Sequence, residues 1–160
     1  MKRIDRIMQN PDYHRYLEET AKWEEKRIFC HHDTVHFLNV ARIGWILNLE
    51  EGFGLKKELI YAAALLHDIG RFKQYEDGSD HAVVSAALAE PILAECGFDE
   101  TERIIITEAV ASHRTKEIAD ERSLKGILYR ADKLSRECYF CKAEPECDWK
   151  GDKKNKVLRY

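Results

Sequence analysis

Apolar residues recur at helical spacing along most of this chain. Phe37, Val40, Ala41, Gly44 and Leu47 form one stripe, and Ile104, Ile105, Ala109 and Val110 form another. The run Tyr61 to Leu66 is apolar on every side, the mark of a helix enclosed by others. Punctuation agrees with this period. Pro11 after Asn10 opens a first helix over about 10–28. Asp33 or Thr34 caps a second that runs toward Leu49, and Gly52 and Gly54 end it. Leu55 to Ile69 is predicted as the third. Residues 70–80 are predicted as a polar loop around the turn signal Asp77-Gly78. His81 to Cys96 forms the fourth, with a kink expected at Pro91. Asp99 with Glu102 gives a capping box for a fifth that ends near Ser112. Ser123 starts a sixth, running through Asp132 toward Phe140. Ile104 to Ile106 is β-branched, but its cap favours helix. The expectation is an all-α bundle of about six or seven helices.

At 160 residues, 44% hydrophobic and 34% charged, the chain suits one globular domain. The formal net charge of −3 argues against duplex nucleic acid as a partner. No apolar stretch approaches the length of a signal sequence or a membrane span, so a cytoplasmic protein with no membrane partner is expected. The pattern does not specify an oligomeric state.

The enclosed helix ends on Leu66-His67-Asp68-Ile69-Gly70. A buried unpaired carboxylate costs several kcal/mol or shifts its pKa to neutralise, and a bound cation removes that cost. His67 and Asp68 therefore read as part of a metal site. The other candidate ligands are His36, His81, His113 and Asp132, each on or at the end of a predicted helix. Imidazoles and carboxylates of this number can hold one or two divalent ions, with Fe, Mn, Co, Ni and Zn all compatible.

The order His36, His67-Asp68, His81, His113, Asp132 resembles the HD-domain superfamily of metal-dependent phosphohydrolases. The signatures are His36 with Val40, His67-Asp68-Ile-Gly, and Ala131-Asp132-Lys133-Leu134. The similarity covers residues 33–136, leaving an N-terminal helix over 10–28 and a cysteine-containing extension over 137–160. It implies an all-α fold with ligands in a central cleft. It also implies two metals: Asp68 bridging, His36, His67 and Asp132 on one ion, His81 and His113 on the other. Arg71 stands where many members have Lys, which keeps the charge and gives bidentate phosphate geometry.

The implied reaction is hydrolysis of a phosphate ester or anhydride, in a nucleotide, by a metal-activated water. Asp68, Arg71 and Lys133 are the candidates for the catalytic centre. Arg71, Lys73 and Arg114 are those for substrate phosphate, although ordinary surface charge explains Lys73, Arg114 and Lys133 equally well. The ligand pattern is most similar to HD hydrolases that split dinucleoside polyphosphates symmetrically. Nucleotide phosphatases and cyclic-nucleotide phosphodiesterases stand nearby. The same order also resembles di-iron HD-type oxygenases, and a noncatalytic nucleotide-binding sensor is a third reading. His32 or Asp33 is a candidate partner behind a ligand, while His14 reads as a surface residue. Cys30, Cys138, Cys141 and Cys147 form a weak second metal-site pattern; reduced, semi-buried thiols account for them better.

Overall fold

The computed structural model describes residues 1–151 and 153–160 and contains no strand among them. Eight α-helices follow in order: α1 (Lys2–Gln9), α2 (Pro11–Glu24), α3 (Thr34–Glu50), α4 (Lys57–Leu66), α5 (Arg71–Asp77), α6 (His81–Glu95), α7 (Glu100–Ser112) and α8 (Leu124–Leu134). Short 3₁₀ turns join α7 to α8 and punctuate the chain after α8. None of the helices is long and apolar enough to cross a membrane.

Helix α4 is the axis of the bundle. It touches α1, α3, α6, α7 and α8, which is why Leu59 to Leu66 buries every residue but Tyr61. The surrounding helices each present one stripe to it. On α3 the buried positions are Phe37, Val40, Ala41, Ile43, Gly44, Leu47 and Asn48; on α7 they are Glu102, Ile106, Ala109 and Val110. Caps fix where the helices begin. Asn10 Oδ1 accepts from the backbone N–H of Asp12 and Tyr13, Asp33 Oδ1 from that of His36, and Asp99 with Glu102 completes the capping box.

Three sequence expectations change. Residues 70–80 are mostly helical, because α5 follows Gly70 directly; its amphipathic content is too short to read as a period. Gly78 ends it at φ +82°, the left-handed conformation glycine adopts freely, so the Asp77-Gly78 signal marks a helix C-terminus. Helix α8 stops at Leu134, and residues 138–140 form a separate 3₁₀ turn. Residues 2–9 form a helix not foreseen in the sequence, which buries Ile4 and Ile7. Pro91 lies inside α6, which runs on to Glu95.

Gly70 lets two helices meet. A Cβ there would lie 2.6 Å from the backbone nitrogen of Ser85 and 2.8 Å from Val84 Cγ1. Its own N–H donates to Ser85 Oγ at 2.8 Å. Gly70→Ala must push α6 away, and overpacking of this kind costs about 1–3 kcal/mol. Urea unfolding should show the midpoint falling with the m-value unchanged.

Candidate metal centre

Each candidate ligand is a polar residue set on a buried stripe. His36 lies one turn before Val40, His113 follows Ala109 and Val110, and Asp132 follows Leu128 on the inner face of α8. His81 opens the stripe of Ser85, Ala89 and Ile92 on α6. His67 and Asp68 end α4 at the centre of the bundle. The same periodicity that builds the core therefore aims six metal-binding side chains at one point. His67 is 0% exposed, and Asp68, His113 and Asp132 no more than 3%.

They converge as two groups that could each hold an ion: His36, His67 and Asp132, and Asp68, His81 and His113. Asp68 stands between them. Its Oδ2 lies 3.1 Å from His67 Nε2 and 3.9 Å from His36 Nε2. Its Oδ1 lies 3.0 Å from His81 Nε2 and 3.5 Å from His113 Nε2. Asp132 Oδ1 is 3.4 Å from His36 Nε2. One carboxylate thus turns one oxygen toward each group.

The proton positions show what the cluster lacks. His67 Nδ1 donates to the Ala64 carbonyl and His113 Nδ1 to that of Val110, both at 2.7 Å. Gln74 Oε1 accepts from the Arg71 guanidinium at 2.6 Å, and both side chains stand against His81 Nδ1, at 2.5 and 2.9 Å. The two carbonyl bonds leave the Nε2 lone pairs of His67 and His113 pointing inward. The Nε2 atoms of His81 and His113 face each other at 3.3 Å. His36 Nε2, His67 Nε2 and Asp68 Oδ1 are buried without a hydrogen-bond partner. Converging acceptors with no donor between them suit a cation, and buried groups of this kind are otherwise rare.

Charge follows the same logic. Burial opposes ionisation of Asp68, but His67 and His32 outweigh it and hold the carboxyl well below its usual range. Burial likewise opposes that of Asp132, which His36, Arg136 and Lys133 keep low. Burial pulls His36 and His81 down, favouring neutral imidazoles, the ligand form. At His67 burial also lowers the pKa, yet the charge of Asp68 reverses the sign and raises it.

A cleft of about 330 Å³ opens over the cluster, at the small end of the ligand-pocket range. Arg71, Arg114 and Lys133 line it. Lys133 Nζ is held by Asp132 Oδ2 at 2.5 Å, and Arg114 by Asp80 at 3.2 Å. Lys73 is elsewhere: it pairs with Glu76 at 2.6 Å and does not line the cleft. Sequence reasoning missed Arg27, Arg136 and Trp149, which do. Arg136 lies one helical turn beyond Asp132 and reaches its Oδ1 at 3.3 Å, a spacing that could have been read. Gln74 and Ser135, whose Oγ is 3.2 Å from His36 Nδ1, carried no such signal. His14 is exposed. Cys30, Cys138 and Cys147 line the cleft and all five cysteines are free thiols. Among the described residues no group that could hold a metal includes a cysteine.

Comparison with known proteins fits this geometry. The HD domain model matches residues 34–137. An uncharacterized protein of Clostridium beijerinckii is 42% identical over the full length of both chains. Ribonuclease Y of Lawsonia intracellularis is 32% identical over 100 residues, which are 62% of this chain and 17% of that protein. This chain therefore corresponds to a small part of that relative. The crystal structure of a predicted HD superfamily hydrolase from an uncultured Thermotogales bacterium superposes with a TM-score of 0.64 at 26% identity, covering 90% of this chain and 79% of that one.

Proposed function

The chain belongs to the HD domain family, and from that premise we propose that it is a metal-dependent phosphohydrolase acting on a nucleotide or related phosphate ester or anhydride. One observation carries this reading: Asp68 divides its two oxygens between two buried histidine groups beneath a cleft edged with cations. His36, His67 and Asp132 would hold one divalent ion, and His81 and His113 the other, with Asp68 shared. Iron, manganese, cobalt, nickel and zinc all suit these donors. Ions in this position lower the pKa of water and offset phosphoryl charge.

The protein's own groups supply the rest. Arg71 keeps its guanidinium beside the cluster through Gln74 and through Tyr75, whose hydroxyl accepts from Nε at 3.2 Å. It presents planar donors to a phosphoryl group. Arg114 stands on the same wall, loosely held by an exposed aspartate and free to swing toward an anion. Lys133 neutralises Asp132 and adds positive potential at the cleft floor. Lys73 takes no part, because it faces solvent beside Glu76. The presence of Ribonuclease Y among the relatives supports phosphoester chemistry.

The test is a panel of nucleotides, dinucleoside polyphosphates and phosphodiesters offered to metal-loaded protein. Turnover of one phosphoester class, lost on chelation and restored by metal, is the expected result. No turnover, with oxygen uptake by the reduced iron-loaded protein, would replace hydrolysis with the oxygenase reading.

A further inference from the structure

Part of the cleft wall is built outside residues 34–137, the segment matched by the HD model. Arg27 and Phe29 come from the stretch before it, and Cys147 and Trp149 from the extension after it. Trp149 is half-buried. The Arg136 guanidinium lies 4.7 Å from its ring centroid, and Arg136 in turn reaches Asp132 Oδ1 at 3.3 Å. The indole is therefore tied to the group of His36, His67 and Asp132. Arg71 and Arg114 belong to the other group. The Arg71 guanidinium stands 2.9 Å from His81 Nδ1, and Arg114 follows His113 directly. Cations thus edge one end of the cleft, and a flat aromatic ring backed by a guanidinium edges the other.

The extension is pinned on both sides of this ring. Asn155 Nδ2 is shared among the carbonyls of Lys133, Leu134 and Arg136, at 2.8, 3.2 and 2.8 Å. It thereby satisfies acceptors that the end of α8 leaves open. Lys154 Nζ donates to the carbonyl and to the carboxylate of Glu144, both at 2.8 Å. Residues 144–155 so form a loop closed onto itself and onto α8, with Trp149 between the two anchors. The cation–π contact removes further freedom from the indole. A site for phosphate alone needs cations and metal. Aromatic rings and guanidinium planes are the surfaces on which nucleobases stack.

Resting on the phosphohydrolase reading above, we infer that Trp149 is the base-binding residue of the cleft, with Asn155 as its positioning residue. The substrate class is then a nucleotide and not a base-free phosphate. Its phosphate takes the end edged by Arg71 and Arg114, and its base packs on the indole at the other end. Stacking accepts purines and pyrimidines alike, because every base has a π-face. A cleft of about 330 Å³ suits a ligand of the size of one nucleotide.

The experiment compares wild type with Trp149→Ala, Trp149→Phe and Asn155→Ala by two readouts. The first is kcat/KM on AMP relative to ribose 5-phosphate, and on ATP relative to inorganic tripolyphosphate, with Mn²⁺, Co²⁺ or Ni²⁺ supplied. Trp149→Ala should lower the ratio about tenfold, mostly through KM, which is the scale of one base stacked on one aromatic ring. Trp149→Phe should keep most of the ratio, and Asn155→Ala should lower it by less than Trp149→Ala does. The ratio is internal to each sample, so partial unfolding or metal loss does not move it. The second readout is tryptophan fluorescence of the Zn²⁺-supplied protein. AMP should quench it and ribose 5-phosphate should not. The quenching should vanish in Trp149→Phe, which leaves Trp23 and Trp45, neither of them lining the cleft. An unchanged ratio in Trp149→Ala overturns the inference and leaves the phosphohydrolase reading standing. Quenching through Trp149 without turnover of these compounds or of the panel above keeps the base site and overturns hydrolysis. Neither turnover nor quenching overturns both.

Discussion

Asp68→Ala should abolish both metal retention and turnover while leaving the helical circular dichroism in place. Among the described residues the substitution removes the one carboxylate that faces both histidine groups, since Oδ2 meets His67 and His36 and Oδ1 meets His81 and His113. His81 and His113 would then face no carboxylate of the cluster, Asp132 would remain only beside His36 and His67, and the shared position of the two ions would be gone. Loss of charge stabilisation in a buried site costs on the order of 10³-fold or more in rate. The fold itself has little to lose. The Asp68 carbonyl that accepts from the Arg71 N–H at the start of α5 is backbone and stays in the variant, and Ala64 to Leu66 are buried at the end of α4. Mass spectrometry of metal content beside the rate on the best substrate of the panel checks it. A variant that keeps its metals and turns over near the wild-type rate would remove Asp68 from the centre.

The second large effect is on stoichiometry. Protein purified without chelator should carry near two metals per chain, and His81→Ala or His113→Ala should bring this toward one. Both residues serve only the group that includes Asp68 Oδ1, and the other three ligands of the cluster, His36, His67 and Asp132, form a separate group. His36→Ala should likewise empty the first group and spare the second. Metal removal should also lower the melting temperature, because binding at a hundredfold excess over Kd stabilises by about 2.7 kcal/mol. One metal per chain, unaffected by His81→Ala and His113→Ala, would reduce the centre to His36, His67, Asp68 and Asp132.

The sequence by itself determined the bundle and the ligand candidates. Stripes at helical spacing and side-chain caps are local properties, so α2, α3, α6 and α7 could be read to within a few residues. The six candidates were legible because each interrupts an apolar stripe with a metal-binding side chain, a cost no core accepts without return. Helix α5 was hidden because a two-turn helix is too short for periodicity, and its capping glycine reads equally as a loop turn. The resemblance implied that Asp68 is shared, but only the tertiary structure decided which of its oxygens meets which histidines, since that depends on α3, α4, α6 and α7 meeting at one point. It also decided that Lys73 pairs with Glu76 away from the cleft, although Lys73 lies only two residues beyond Arg71 along the chain. Glu24 is the clearest case: it sits in a polar helix with nothing local to distinguish it. Its meaning comes from α2 packing beside α5, which buries the carboxylate against His32 and Tyr75. Burial of that kind is a property of the packed chain, because helical period places a side chain on a face but not beside a particular partner.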